Sequence, residues 1–269
     1  MSQDKDIKVV KAENFKLENV RFSDIKTNSK GGKKIYVNYD YEDGKPAKAL
    51  RIQMPKMKVP FGISGWVQGR DGKGDNSPTE SSNDTLEYSV NNAIVLKKLE
   101  DLDNMVLKYG ETNWKDIFKK KPKDTSEFYR SFLKFNEVDG KRDDSKYVPR
   151  LKSKLYKDEN FKYNISVYNS GSRKANTIDI YNSSEVIPKN SEVIAILSCP
   201  GIWIVNGTFG LNFIPSQLIV YKSDLNLPEF AFLEDPNIKE QNDEEENEDE
   251  EEESDSIDET TDLLDEVKL

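Results

Sequence analysis

Residues 191–221 read SEVIAILSCPGIWIVNGTFGLNFIPSQLIVY. Runs of β-branched and aromatic residues punctuated by Gly, Pro and Asn are strand signals. SEVIAILSCPG and IWIVNG read as apolar strands around a Pro-Gly turn, and TFGLNFIPSQLIVY as the final β segment that closes the fold. Just upstream, FKYNISVY (161–168) alternates in the same way. Nearer the N-terminus, IYVNYDY (35–41) puts Ile35, Val37 and Tyr39 on one face and Tyr36, Asn38 and Asp40 on the other. Asp43-Gly44 is a hairpin signal, and KALRIQMP (48–55) returns with Leu50, Ile52 and Met54 facing one way and Arg51 and Gln53 the other. A helix is predicted over 88–109, where Val95, Leu99, Leu102, Val106 and Tyr109 form an apolar stripe and Gly110 supplies the stop. Residues 113–118 read as a further helical turn, and Asp124 with Glu127 as a capping-box start. The fold class is therefore mainly β: one β-rich domain over 1–233 with a helical insertion at about 88–133, closed as a barrel or sandwich.

The segment 55–66, PKMKVPFGISGW, stands apart, because its prolines and glycines argue against a regular ladder strand. It nevertheless alternates cations with aromatics. A polar loop of Gly, Asp, Asn and Ser follows over 69–85.

Charge divides the chain sharply. It carries 40 basic and 50 acidic residues, net −10. Residues 234–269 hold 19 acids against Lys239 and Lys268, 2 − 19 = −17, which leaves 38 − 31 = +7 for residues 1–233. So dense a block of like charge buries too little apolar surface to offset its ordering entropy, and a disordered acidic tail is expected. At its far end Ile257, Leu263, Leu264, Val267 and Leu269 are spaced among acids, a short amphipathic or partner-binding element. A cationic body tied to an anionic tail points to an anionic polymer as ligand, with the tail as internal competitor. A purely solubilising tail would need no such body.

Other chemistries lose ground. There is no histidine, which removes the usual general base and most zinc sites. Asp143-Asp144 and Asp101/Asp103 read as solvated surface pairs, and no Walker loop follows a strand. Neither catalysis nor a cofactor or metal is expected. Cys199 is the single cysteine, set as a buried strand end, so no internal disulfide forms. With no signal-peptide core and no membrane span, an intracellular, soluble protein is expected.

Single-strand binders combine a positive groove with aromatic faces for bases. Residues 33–66 supply Lys33, Lys34, Lys48, Arg51, Lys56 and Lys58 beside Tyr36, Tyr39, Phe61 and Trp66. Arg150, Lys152, Lys154 and Lys157 recur in RLKSKLYK. Tyr36 and Trp66, with polar or glycine neighbours, are the favoured platforms; Trp203, between Ile202 and Ile204, and Phe213 read as core.

KIYVNYDY…ALRIQMPKMKVPFGISGW, GIWIVNGTFGLNFIPSQLIVY and the acidic tail together resemble the replicative single-stranded DNA-binding proteins of tailed phages. They are closer still to the OB-fold counterparts in large nucleocytoplasmic DNA viruses. The resemblance implies an elaborated OB-type barrel, stacking aromatics in its groove, and a tail for partners and autoinhibition. It also implies a viral replication compartment in host cytoplasm or nucleus. The chain departs from it in ending Lys268-Leu269 rather than in an aromatic, and in its long helix. The expected function is coating of single-stranded DNA, or RNA, in replication, recombination or repair, with replication proteins recruited through Leu263, Leu264, Val267 and Leu269. The rival is an acidic-tail interaction module, histone-chaperone-like or scaffolding, that binds no DNA.

Overall fold

The computed structural model describes residues 7–27, 31–64 and 84–221. In chain order β1 (Val20–Thr27) and β2 (Lys33–Tyr39) form an antiparallel pair. The short strands β3 (Arg51–Gln53) and β4 (Met57–Val59) follow. Then come β5 (Thr85–Ser89), helix α1 (Ala93–Thr112), β6 (Arg150–Lys154) and β7 (Ser166–Asn169). Two long strands, β8 (Ser191–Val205) and β9 (Thr208–Tyr221), end the described chain.

The ring closes through β4–β5, β5–β6, β6–β9, β9–β8 and β8–β4. In terms of these five strands the order is first, second, third, fifth, fourth and back to the first. Only the third-to-fifth contact, Ser153 opposite Phe213, is parallel. This is the OB-type Greek-key barrel. β8 is long enough to serve several neighbours, pairing also with β3 and β2 along its length. Inward alternation fills the ring with Val193, Leu197, Phe209, Phe213, Leu86, Tyr88 and Leu151, all essentially without solvent contact. Burying each such side chain contributes about 1.5–3 kcal/mol.

Helix α1 lies between the second and third barrel strands. Asn92 caps it, its side-chain oxygen accepting from the Ile94 and Val95 N–H groups. Val95, Leu99, Leu102 and Val106 are buried as the stripe requires. The predicted start at 88 is wrong, because Thr85–Ser89 is a barrel strand. Gly110 does not stop the helix either. It is an interior residue pressed on Phe209, whose Cζ would lie 2.2 Å from a Cβ there.

Two further readings are corrected. Pro200-Gly201 is no turn: β8 runs straight through it with a bulge, and the hairpin turns at Asn206-Gly207. The residues before the bulge bury odd positions (Val193, Ala195, Leu197, Cys199), those after it even ones (Ile202, Ile204). One inserted residue has reversed the faces. Gly201 sits at φ +132°, where a Cβ would fall 2.2 Å from the Ile35 carbonyl oxygen, so only glycine lets β2 approach. In the proline-rich segment, Met57–Val59 is a barrel strand after all, kept short by Pro55 and Pro60.

By contrast, the alternation of 35–41 and 48–55 holds, with Ile35, Val37, Tyr39, Leu50, Ile52 and Met54 all buried. Cys199 is a buried free thiol, pushed up to about 12 by burial. Among the described residues no helix is long and apolar enough to cross a membrane. Contacts divide the chain into Met1–Asn226 and Leu227–Leu269, and every described residue falls in the first unit. The tail, with Leu263, Leu264, Val267 and Leu269, and the loop residue Trp66 lie outside the described residues.

Candidate nucleic-acid interface

Residues paired across neighbouring strands point to the same face of a sheet. Lys134 lies opposite Arg150, Arg150 opposite Ser89, and Ser89 opposite Lys58. Each alternates with buried neighbours (Leu133, Leu151, Tyr88, Met57 and Val59), so the whole row points out of the barrel. One step along β6, Lys152 stands opposite Glu87, and one further Lys154 opposite Thr85. The outer surface of the second and third barrel strands is thus predominantly cationic. Its one acid, Glu87, accepts from Arg150 Nε at 2.7 Å, and the Phe61 ring lies 5.4 Å from the same guanidinium. Arg150 is held between this carboxylate and an aromatic that is 46% exposed.

At the hairpin end of this surface Arg130, Lys134, Lys152 and Lys154 line a groove with Phe132, Leu211, Asn212 and Trp203. Among the described residues no carboxylate lines it. The β8 bulge accounts for Trp203: with Ile202 and Ile204 turned inward, the indole between them must face out. It packs on Gly210, where a Cβ would stand 3.0 Å from its Cζ2, and Lys154 Nζ lies 6.0 Å from the ring centroid. Its Nε1–H is buried without a hydrogen-bond partner. Beyond Trp203 the same outer face continues through Lys34, its cross-strand partner, to Tyr36, which is 46% exposed with Lys34 Nζ 5.0 Å from its ring.

The sequence-predicted residues separate into three groups. Lys34, Tyr36, Lys58, Phe61, Arg150, Lys152 and Lys154 all face this surface. Lys33 and Lys56 are engaged by partners of their own: Lys33, opposite inward-facing Ile204, donates to the Asp116 carbonyl at 2.9 Å, and Lys56 pairs with Glu192 at 3.2 Å. Tyr39, Lys48 and Arg51 lie off the groove. Tyr39 is a core residue, 3% exposed, stacked on Phe15 with Tyr41 edge-on, so its ring is closed to a base. Lys48 lies opposite that buried tyrosine, and Arg51 opposite Ser198, on the far side of the bulge. Lys157 leaves the surface altogether, to pair with buried Asp84. Phe213 is core, as read from the sequence; Trp203 is not.

Trp203, Arg130 and Lys134 are the residues that sequence reasoning missed. The signal for Trp203 was present, since two flanking aliphatics that both face inward leave the residue between them facing out. Arg130 and Lys134 carry no local signal; strand pairing alone brings their segment to β6 and β9.

No family model and no curated protein matches the chain. Solved structures of the single-stranded DNA-binding protein from bacteriophage Enc34 are similar to it in backbone. The form in complex with ssDNA gives a TM-score of 0.41 at 11% identity, covering 74% of this chain and 95% of that one. A C-terminal truncation gives 0.42 at 10% over 77% and 97%, and the protein by itself 0.39 at 10% over 78% and 94%.

Proposed function

We propose that this chain is a non-enzymatic single-stranded DNA-binding protein. The DNA lies across the second and third barrel strands and ends in the Trp203 groove. One observation carries the reading: the outward row Lys134–Arg150–Ser89–Lys58 runs directly into a groove with Trp203 and, among the described residues, no lining acid. Cations at strand spacing neutralise successive phosphates, and Trp203, Phe61 and Tyr36 offer faces for unstacked bases. Each stack contributes about 1–3 kcal/mol. A duplex keeps its bases stacked and would leave those aromatics idle. This face of an OB barrel is also the one that accepts oligonucleotides in general.

Its place in replication, recombination or repair, and its kinship with the proteins of phages and large DNA viruses, belong to the same proposal. So does the tail. At −17 against a body of +7, residues 234–269 compete with DNA for the cationic face and, once displaced, offer Leu263, Leu264, Val267 and Leu269 to replication proteins.

Fluorescence anisotropy tests the proposal with oligo-dT, oligo-rU and duplex against the full chain, a 1–233 truncation and Trp203→Ala. Single strands are expected to bind tighter than duplex, the truncation tighter than the full chain, and Trp203→Ala weaker by about 1–3 kcal/mol. Absence of nucleic-acid binding by both full chain and truncation at low salt would overturn it and leave the tail, with basic proteins as its targets, as the active part.

A further inference from the structure

Asp103 stands on α1 in a sequence context that reads as solvated surface, yet it is half-buried and takes two side-chain hydrogen bonds from one short span. The Tyr129 hydroxyl donates to Oδ1 and the Ser131 hydroxyl to Oδ2 at 2.7 Å, with the Phe132 N–H also lowering the carboxylate's pKa. Ser131 Oγ in turn accepts from the Leu133 N–H at 3.0 Å. Arg130 lies within this span and Lys134 just after it. On its other side the span is fastened to the barrel: Tyr129 and Arg130 pair with Phe209 and Gly210, and the Phe132 carbonyl accepts from Lys152 N at 2.9 Å. Residues 129–134 are therefore the wall of the Trp203 groove opposite Lys152 and Lys154, clamped between β9 on one side and the α1 carboxylate on the other. Burial pushes Asp103 up and the charge of Glu100 adds to the rise, while the hydrogen-bond donors pull the other way without cancelling that cost. An aliphatic residue would fill the same place without it.

Resting on the single-strand-binding reading, we infer that Asp103 is a positioning residue for nucleic-acid binding: it fixes the 129–134 wall so that Arg130 and Lys134 face the phosphates beside Trp203. On this view α1 is the buttress of the groove, and its carboxylate the point of contact.

The experiment compares the full chain with Asp103→Asn, Asp103→Ala and Val106→Ala. Val106 is buried on the same helix, so its truncation loosens α1 packing while leaving the Asp103 carboxylate and its hydrogen bonds in place. Binding of oligo-dT is followed over a range of salt. Both Asp103 variants are expected to bind more weakly and to lower the slope of log K against log salt by about 1, as one cation leaves its place. Val106→Ala is expected to lower the melting temperature while keeping the wild-type slope. In a Trp66→Phe/Trp114→Phe background without DNA, acrylamide should quench Trp203 more readily in Asp103→Asn than in its parent. A wild-type slope with wild-type quenching in Asp103→Asn overturns the inference. If the full chain binds no oligo-dT at all, the function proposed above fails, and quenching alone decides whether Asp103 holds the wall.

Discussion

Lys157 and Asp84 show how much one residue's setting decides. Lys157 Nζ lies 2.8 Å from Asp84 Oδ2, with side chains 4% and 0% exposed, and the Tyr163 hydroxyl donates to the same oxygen at 2.9 Å. Burial, then the charge on Asp84, pushes the Tyr163 phenol up, so it remains a donor. A buried ion pair repays its desolvation poorly, but losing one partner leaves a bare charge in the core. Lys157→Met is therefore expected to destabilise the protein by about 3–5 kcal/mol in urea unfolding. The double variant Asp84→Leu/Lys157→Met should recover most of that loss. In RLKSKLYK the sequence gives Lys157 the same appearance as Lys152 and Lys154. The two on β6 face out by alternation; the third has passed the strand end and turns in. Alternation was legible along the strand, whereas the long-range partner Asp84 was not.

Among the elements, the β8–β9 hairpin governs both core and groove. Its composition announces strands, but its irregularities decide which face each side chain takes. The bulge at Pro200-Gly201 moves the buried set from odd to even positions, and a second irregularity near Pro215 moves it again along β9, from Phe213 to Leu218 and Val220. Gly201→Ala tests the first, because a Cβ there would meet the Ile35 carbonyl oxygen at 2.2 Å while the backbone is held at φ +132°. The variant is expected to lose more than about 1 kcal/mol of stability. Surviving folded protein should show altered Trp203 fluorescence, since the bulge aims the indole. Unchanged stability and emission would mean that the β2–β8 crossing yields freely. The periodicity of α1 was legible in the sequence for the matching reason, that no irregularity interrupts it. Its start was misplaced because Thr85–Ser89, read locally, continues the helical run, while its pairing with Arg150–Lys154 makes it a strand.

For the whole molecule the governing quantity is charge in three dimensions. The outer face gathers Lys58, Arg130, Lys134, Arg150, Lys152 and Lys154 from three separate parts of the chain. If about five of them meet phosphates of a single strand, log K should fall against log salt with a slope of roughly −3.5. A slope near zero in titrations of the 1–233 truncation would show that the cations do not meet the DNA backbone. By itself, the sequence determined the mainly β class, the inward faces of β2 and of residues 50–54, the stripe of α1, and the opposition of a cationic body to an anionic tail. Those are properties of composition and of periods two and 3.6, which each segment expresses alone. Only the tertiary structure decided that the cations of β4 and β6 share a row, that Trp203 faces out while Tyr39 faces in, and that Asp103 grips the groove wall. Each of these depends on the register between segments distant in the chain, which backbone hydrogen bonding and core packing fix together and no local pattern encodes.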